Sequence, residues 1–242
     1  MNSTFIKKIG SIVFVMVLLL CASSAWALTA TQVAKLVAAD GASGDLFGYS
    51  VAVDGDTAVI GAWADVDAGV SSGSAYVFTR DAIGDWSQQA KLLAGDGASA
   101  DFFGWSVAVD GDTAVIGAWA DDDAGVSSGS AYVFTRNAIG DWSQQAKLLA
   151  ADGASGDFFG ESVAVDGDTA VIGAFYDDEN YVSSGSAYVF TRVFTDDGIN
   201  WEQQAKLLAG DGASADFFGW SVAVDGDTAV IGAWADDDAG VS

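Results

Sequence analysis

Three consecutive carboxylates, Asp121, Asp122 and Asp123, sit between Trp119 and a Gly/Ser-rich stretch, and the same kind of acidic run recurs three more times. It falls at Asp65 and Asp67, at Asp177, Asp178 and Glu179, and at Asp236, Asp237 and Asp238. Clustered carboxylates at a strand end are a donor set for a hard cation, and weak Ca2+ binding is the chemistry they suggest; a solvated acidic turn is the other reading of the same residues. Their spacing matches no specific ligand template. A second set is aromatic: Trp63, Trp105, Trp119, Trp220 and Trp234, with Tyr49, Trp86 and Trp142 as companions. Flat rings in clefts between repeats can stack on pyranose faces while nearby carboxylates accept sugar hydroxyls, which makes a glycan platform. The same rings also suit plain packing between repeats, and Glu161 stands where Trp105 stands one repeat earlier.

Other chemistry is excluded by what is missing. The chain has no histidine and no proline, and its one cysteine, Cys21, lies in the N-terminal leader. Ser-His and Cys-His nucleophilic pairs, disulfides and imidazole or thiolate metal sites are therefore ruled out of the rest. Paired carboxylates can run glycoside hydrolysis only if their environments separate their pKa values, and near-identical repeats supply near-identical environments. The least repetitive parts are 176–182 and a lengthened turn at 193–201. No catalytic residue is assigned, and the chain is expected not to be an enzyme.

These residues are placed by a repeat. A 56-residue unit starting at Lys35 recurs at Lys91 and Lys147 and, after a 59-residue copy, at Lys206; residues 206–242 match 91–127 at all 37 positions. Such a chain is a stack of near-identical supersecondary units. Within the second unit, 106–109 (SVAV) reads as a strand, Asp110-Gly111 as a two-residue hairpin turn, and 113–119 (TAVIGAW) as the returning strand. An acidic loop at 120–129 leads to a third strand at 130–135 (SAYVFT), and a turn at 137–141 leads to a fourth at 142–149 (WSQQAKLL). Small apolar residues on both faces of the first two strands call for tight neighbours; Tyr132, Phe134, Trp142 and Lys147 on the last two call for more room and water. A wedge-shaped antiparallel sheet stacked on its own copies is a blade, so the expected fold is an all-β propeller of four-stranded blades. A linear β-solenoid is the alternative, but it favours shorter repeats and parallel pairing.

With that fold in view, the stretches DFFGWSVAVDGDTAVIGAW (101–119) and SGSAYVFTR (128–136) resemble the FG-GAP repeat of integrin alpha-subunit propellers, bacterial exported branch. The "FG" element falls at Phe47-Gly48, Phe103-Gly104, Phe159-Gly160 and Phe218-Gly219. The "GAP" element falls at Gly61-Ala62-Trp63, Gly117-Ala118-Trp119, Gly173-Ala174-Phe175 and Gly232-Ala233-Trp234. The resemblance implies propeller blades and binding or adhesion. It also implies a calcium loop in the first hairpin, but here that hairpin is only Asp110-Gly111-Asp112, and two carboxylates cannot supply the six or more oxygens calcium takes. The family's metal site is therefore not carried over. Trp or Phe replaces the proline of "GAP".

Residues 1–27 read as a secretory signal, helical in its apolar run, with Lys7 and Lys8, an apolar stretch at 12–20, and Ala25-Trp26-Ala27 fitting cleavage after Ala27. Leu20 before Cys21 is not the small residue a lipoprotein signal wants. Residues 28–34 form a lead-in, and the blades occupy 35–90, 91–146, 147–205 and a shortened 206–242, so the ring is incomplete and either more chain or a second copy is expected against it. The net charge is −25, and two units more negative once the leader's lysines are gone, which argues against nucleic acid and anionic lipid as partners. The expectation is a secreted or cell-surface scaffold, not inserted in a membrane once its signal is removed, that binds an extracellular protein or glycan through its blade loops. A structural matrix protein that self-associates and a lectin-like propeller are the alternatives. No cofactor is expected beyond weak Ca2+.

Overall fold

The computed structural model describes residues 31–179, 181–196 and 198–237. The expected signal helix, its cleavage site and Asp238 lie outside the described residues. The chain divides into two units, Met1–Lys35 and Leu36–Ser242, and every strand among the described residues belongs to the second. Sheet 1 comprises β1 (Val51–Asp54), β2 (Thr57–Ala62), β3 (Ser74–Arg80) and β4 (Trp86–Leu92). Sheet 2 comprises β5 (Ser106–Asp110), β6 (Thr113–Ala118), β7 (Ser130–Arg136) and β8 (Trp142–Leu148). Sheet 3 comprises β9 (Ser162–Asp166), β10 (Thr169–Ala174), β11 (Ser186–Thr195) and β12 (Gly198–Leu207), and sheet 4 comprises β13 (Phe218–Asp225) and β14 (Thr228–Ala233). Each sheet is an antiparallel meander in chain order, so the fold is all-β, a set of blades of an incomplete β-propeller. A period has no phase of its own: in the structure Lys91 and Lys147 fall inside β4 and β8.

Small side chains put β2 and β6 at the centre, where every residue is buried. The outer β8 is half-buried or exposed from Trp142 to Lys147 and buried only at Leu148, as its Gln and Lys residues require. The hairpin sits one residue later than its sequence suggests. Asp110 still pairs with Thr113, so the turn residues are Gly111 and Asp112, and only Gly111 takes a positive φ, +54°. The three lengthening residues of the third unit extend β11 and β12 to ten residues each.

Successive sheets are locked by the two elements that resemble FG-GAP. The Phe103 ring is fully buried against Tyr132 and Phe134 of its own sheet and joins one core with Val59, Val77 and Leu92 of sheet 1. Its N–H donates to Ser72 O at 3.0 Å, and Gly73 and Phe103 form a parallel bridge; Gly129 with Phe159 and Gly185 with Phe218 repeat it. Ser106 Oγ then donates to Gly160 O at 2.7 Å. That approach leaves no space for a side chain, because a Cβ on Gly117 would lie 1.9 Å from Gly160 O. The glycines of both elements therefore exist so that two backbones can touch.

A β-bulge recurs in every complete sheet, between Val77 and Phe78, Val133 and Phe134, and Val189 and Phe190. In sheet 2, Val133 pairs with Ala146 and Phe134 with Gln144, so Gln145 is the extra residue. Three residues normally separate opposite faces of a strand. The bulge puts Gln144 and Lys147 on the same face, opposite Phe134 and Tyr132 respectively, and this face meets the preceding sheet.

Candidate functional site

Because of that bulge, Gln144 and Lys147 both reach the linker that brings the chain from sheet 1 into sheet 2. Gln144 Oε1 accepts from Gly95 N–H at 2.8 Å, and Lys147 Nζ lies 2.7 Å from Asp96 Oδ2. The same ammonium is 3.0 Å from Asp121 Oδ2 and 2.5 Å from Asp123 Oδ2, and it sits 5.1 Å over the Tyr132 ring. The Tyr132 hydroxyl is 2.7 Å from Asp121 Oδ2 and 3.0 Å from Asp96 Oδ1. Lys91 repeats the arrangement with Asp40, Asp65, Asp67 and Tyr76, and Lys206 repeats it with Asp152, Asp177, Glu179 and Tyr188.

The electrostatics follow from position. Burial disfavours the Lys147 charge, but its bonds to Asp123, Asp96 and Asp121 outweigh this and raise its pKa. Burial would likewise raise Asp96, yet the bonds from Lys147 and Tyr132 bring it below the usual carboxylate range. Asp101, buried nearby and facing Asp121 and Asp122, goes the other way: burial lifts its pKa although Ala98 N–H donates to it. Among the described residues, no three carboxylates are arranged as a metal-ligand set. The point where Asp96, Asp121 and Asp123 come together is held by the lysine ammonium.

The remaining acidic-run residues separate. Asp122 is exposed; Asp178, also exposed, accepts from Ser183 N–H at 2.6 Å; Asp236 and Asp237 are exposed after the end of β14. The hairpin acids are both used as well. Asp110 Oδ2 accepts from Gly167 N–H of the next sheet at 2.8 Å, as Asp54 does from Gly111 and Asp166 from Gly226. Asp112 pairs with Arg136 at 2.6 Å, and Asp56 with Arg80 and Asp168 with Arg192 do the same. Arg80 and Arg136 also lie over Trp86 and Trp142.

The aromatic set forms one line across all four sheets. Tyr49 meets Trp105 at 4.6 Å, Trp105 meets Trp63 at 5.4 Å and Trp119 at 5.6 Å, and Phe158 carries the line from Trp119 to Phe175. Phe175 then meets Trp220 at 4.7 Å, and Trp220 stacks on Trp234 at 5.1 Å. The indole nitrogens of Trp63 and Trp119 are buried without a hydrogen-bond partner, whereas the Trp220 and Trp234 rings are exposed. Glu161 interrupts the series of Tyr49, Trp105 and Trp220. Burial pushes its carboxyl up to about 7, against the pull of a hydrogen bond from Trp105.

The "FG" elements at Phe103-Gly104, Phe159-Gly160 and Phe218-Gly219 thus each dock on the "GA" of the sheet before, and this contact recurs at each described sheet junction. The FG-GAP repeat family model matches residues 30–78, 86–134, 142–190 and 201–242, well over half of the chain. The chain belongs to the FG-GAP repeat family. No curated protein matches it. The second and third family units, 86–134 and 142–190, start on the first residue of β4 and β8, so each takes the outer strand of one blade together with three strands of the next. FG-GAP repeats generally build binding scaffolds rather than enzymes.

Sequence reasoning named Asp121, Asp123, Asp177 and Glu179 but not the lysine between them. The signal available was arithmetic: each unit carries one lysine among many aspartates, and Lys91, Lys147 and Lys206 fall at the same place in a strand. The bulge that turns it inward has no comparable sequence mark.

Proposed function

We propose that the chain is an exported, non-catalytic scaffold that binds an extracellular protein or glycan through a row of repeated loops. One observation carries this reading. The loop after the second strand of each complete sheet exposes a valine, Val70, Val126 or Val182, at 73%, 72% and 69%. In each case the carbonyl of that same valine is fixed, accepting from Ala100, Gly156 or Ala215 N–H of the following linker at 2.9 Å. An apolar side chain held outward on a rigid loop, in three copies, is a repeated weak contact, and linked weak contacts bind by avidity. Two acids of each loop, Asp65 and Asp67, Asp121 and Asp123, and Asp177 and Glu179, are held by Lys91, Lys147 and Lys206, so they shape the loops that present the valines.

Substituting Val70, Val126 and Val182 by Ser singly and together tests the reading against immobilised extracellular matrix proteins and a glycan array. Each single change is expected to weaken retention modestly, and the triple change to abolish it. Unchanged binding by the triple variant would overturn the role of the loop row; retention on no probe would overturn extracellular binding itself. Secretion is checked separately, by an exported product that begins at Leu28.

A glycan-binding alternative is supported by Trp220 and Trp234, whose exposed rings stack at an interplanar angle of 24°. Binding lost on Trp234→Ala and kept in the triple valine variant would favour it.

A further inference from the structure

Oxidation has few places to go in this chain. Its sulfur side chains are Met1, Met16 and Cys21, so residues 28–242 carry none of the groups that oxidants ordinarily attack first. Indoles and phenols come next, and their settings differ. Trp86, Trp105 and Trp142 are all half-buried, so access does not separate them. Charge does. The Arg80 and Arg136 guanidiniums lie over the Trp86 and Trp142 rings, 5.6 and 5.5 Å from the centroids. A ring under a cation resists losing an electron, because the positive charge left on it is repelled. Trp105 has the opposite companion: its indole N–H donates to the Glu161 carboxylate.

Trp105 is also the hub of a cluster. The ring centroids of Tyr49, Trp63 and Trp119 lie 4.6, 5.4 and 5.6 Å from its own, and Tyr49, 52% exposed, connects the cluster to water. Rings in contact pass an electron vacancy among themselves. An indole that has lost an electron becomes a strong acid at nitrogen, so the vacancy stays where the proton can leave. The indole nitrogens of Trp63 and Trp119 are buried without a hydrogen-bond partner, and neither has a group to take its proton. Glu161 gives Trp105 such a group. Burial raises that carboxyl to about 7, so it is mostly ionised at pH 8 and free to accept.

We propose that Tyr49, Trp63, Trp105, Trp119 and Glu161 form an oxidation site that consumes one-electron oxidants of the peroxyl-radical class, with Tyr49 as its entry and Trp105 as its trap. The oxidant takes one electron from the cluster and becomes a peroxide anion, which solvent protonates. Trp105 makes up that electron, and its N–H proton passes to the Glu161 carboxylate. A neutral indolyl radical and a carboxylic acid remain. Vacancy that ends on Tyr49 instead loses the phenol proton to water and leaves a phenoxyl radical there. The indoles of Trp86 and Trp142, under their guanidiniums, are spared. This inference does not depend on the loop-row reading.

The test exposes the full chain at pH 8 to azide radical made by pulse radiolysis, which takes one electron and becomes azide ion. Oxidised residues are then located by peptide mass spectrometry. Trp105 and Tyr49 are each expected to carry several times the product found at Trp86 or Trp142. Glu161→Gln keeps an acceptor for the indole N–H but takes up no proton. It is expected to bring Trp105 down to the level of Trp86 and to prolong the absorption of the indolyl radical cation, with the circular dichroism of the unaltered chain. Glu161→Ala replaces it, with the same expectation, if Glu161→Gln does not fold. Equal product at Trp86, Trp105 and Trp142 overturns the proposal, and so does a Trp105 yield that the Glu161 variants leave unchanged.

Discussion

The Lys147 ammonium lies 3.0 Å from Asp121 Oδ2, an oxygen to which the Tyr132 hydroxyl is also bonded, and the Asp121 side chain is only 6% exposed. A strand residue thereby supplies the counter-charge for a buried loop carboxylate, and Asp96 ties the incoming linker to the same ammonium. The acidic loop, the outer strand and the linker are one electrostatic unit, present again at Lys91 and Lys206.

Lys147→Ala is expected to destabilise the protein by about 3 kcal/mol, because it leaves a buried carboxylate without its partner. Urea unfolding measures the loss. In the variant, Asp96, Asp121 and Asp123 keep their approach to one point with no ammonium there. Calcium at millimolar concentration is therefore expected to raise the melting temperature of the variant more than that of the unaltered chain. An equal response in the two would show that Lys147 does not occupy the place of a cation.

Gly117→Ala tests the backbone contact between sheets. Its Cβ would meet Gly160 O at 1.9 Å and Ser106 Oγ at 2.2 Å, so sheets 2 and 3 have to part. Gly140→Ala is the comparison, with φ of +96° and nothing within 4 Å of the added methyl. The turn variant is expected to lose about 1 kcal/mol through backbone strain alone. The Gly117 variant is expected to lose several times as much and to broaden the thermal transition.

Phe103→Ala and Phe47→Ala separate an inter-sheet role for the "FG" ring from packing within one sheet. Phe103 is fully buried between two sheets, whereas Phe47, among the described residues, packs on sheet 1 in one cluster with Leu36 and Ala38 and is half-buried. The first change is expected to cost about 4 kcal/mol. The second is expected to cost about half of that, measured as the shift in urea midpoint at unchanged slope.

Blade organisation was legible in the sequence because small residues on both faces of TAVIGA and a turn at Gly111 leave an antiparallel meander little choice, and β6 is wholly buried as that composition demands. The glycines of the two family elements were legible as positions, but their reason, a carbonyl of the next sheet lying against them, is a tertiary fact. The partner of the acidic run was not legible. Lys147 is 26 residues beyond Asp121, and in a regular strand it would not share a face with Gln144; the extra Gln145 decides its direction. The aromatic positions were visible, but that Trp105 spans from Tyr49 to Trp119 depends on how neighbouring sheets are set against each other.

Glu161 gives the fold a pH dependence whose sign is fixed by its surroundings. Burial raises its carboxyl from the ordinary 4.5 to about 7, although the hydrogen bond from Trp105 favours the ionised form. Below pH 4.5 the group is protonated in both folded and unfolded chains and costs nothing. As pH rises from 4.5 towards 7 the unfolded chain ionises first, so stability falls across that window and levels off above it. The full drop is roughly 3 kcal/mol. Above pH 7 the ionised carboxylate also pushes up the hydroxyl of Tyr49, on which burial already acts in the same direction. Glu161→Gln is expected to flatten the profile between pH 5 and 8 because it removes the titrating group, leaving the neighbouring rings in place. Glu161→Trp, which gives this position the residue found at Trp105 and Trp220, is expected to flatten it too and to raise stability at pH 8 above that of the unaltered chain. Urea unfolding at pH 5, 6, 7 and 8 for the three proteins measures both effects; a Gln variant that keeps the full slope would place the titration elsewhere.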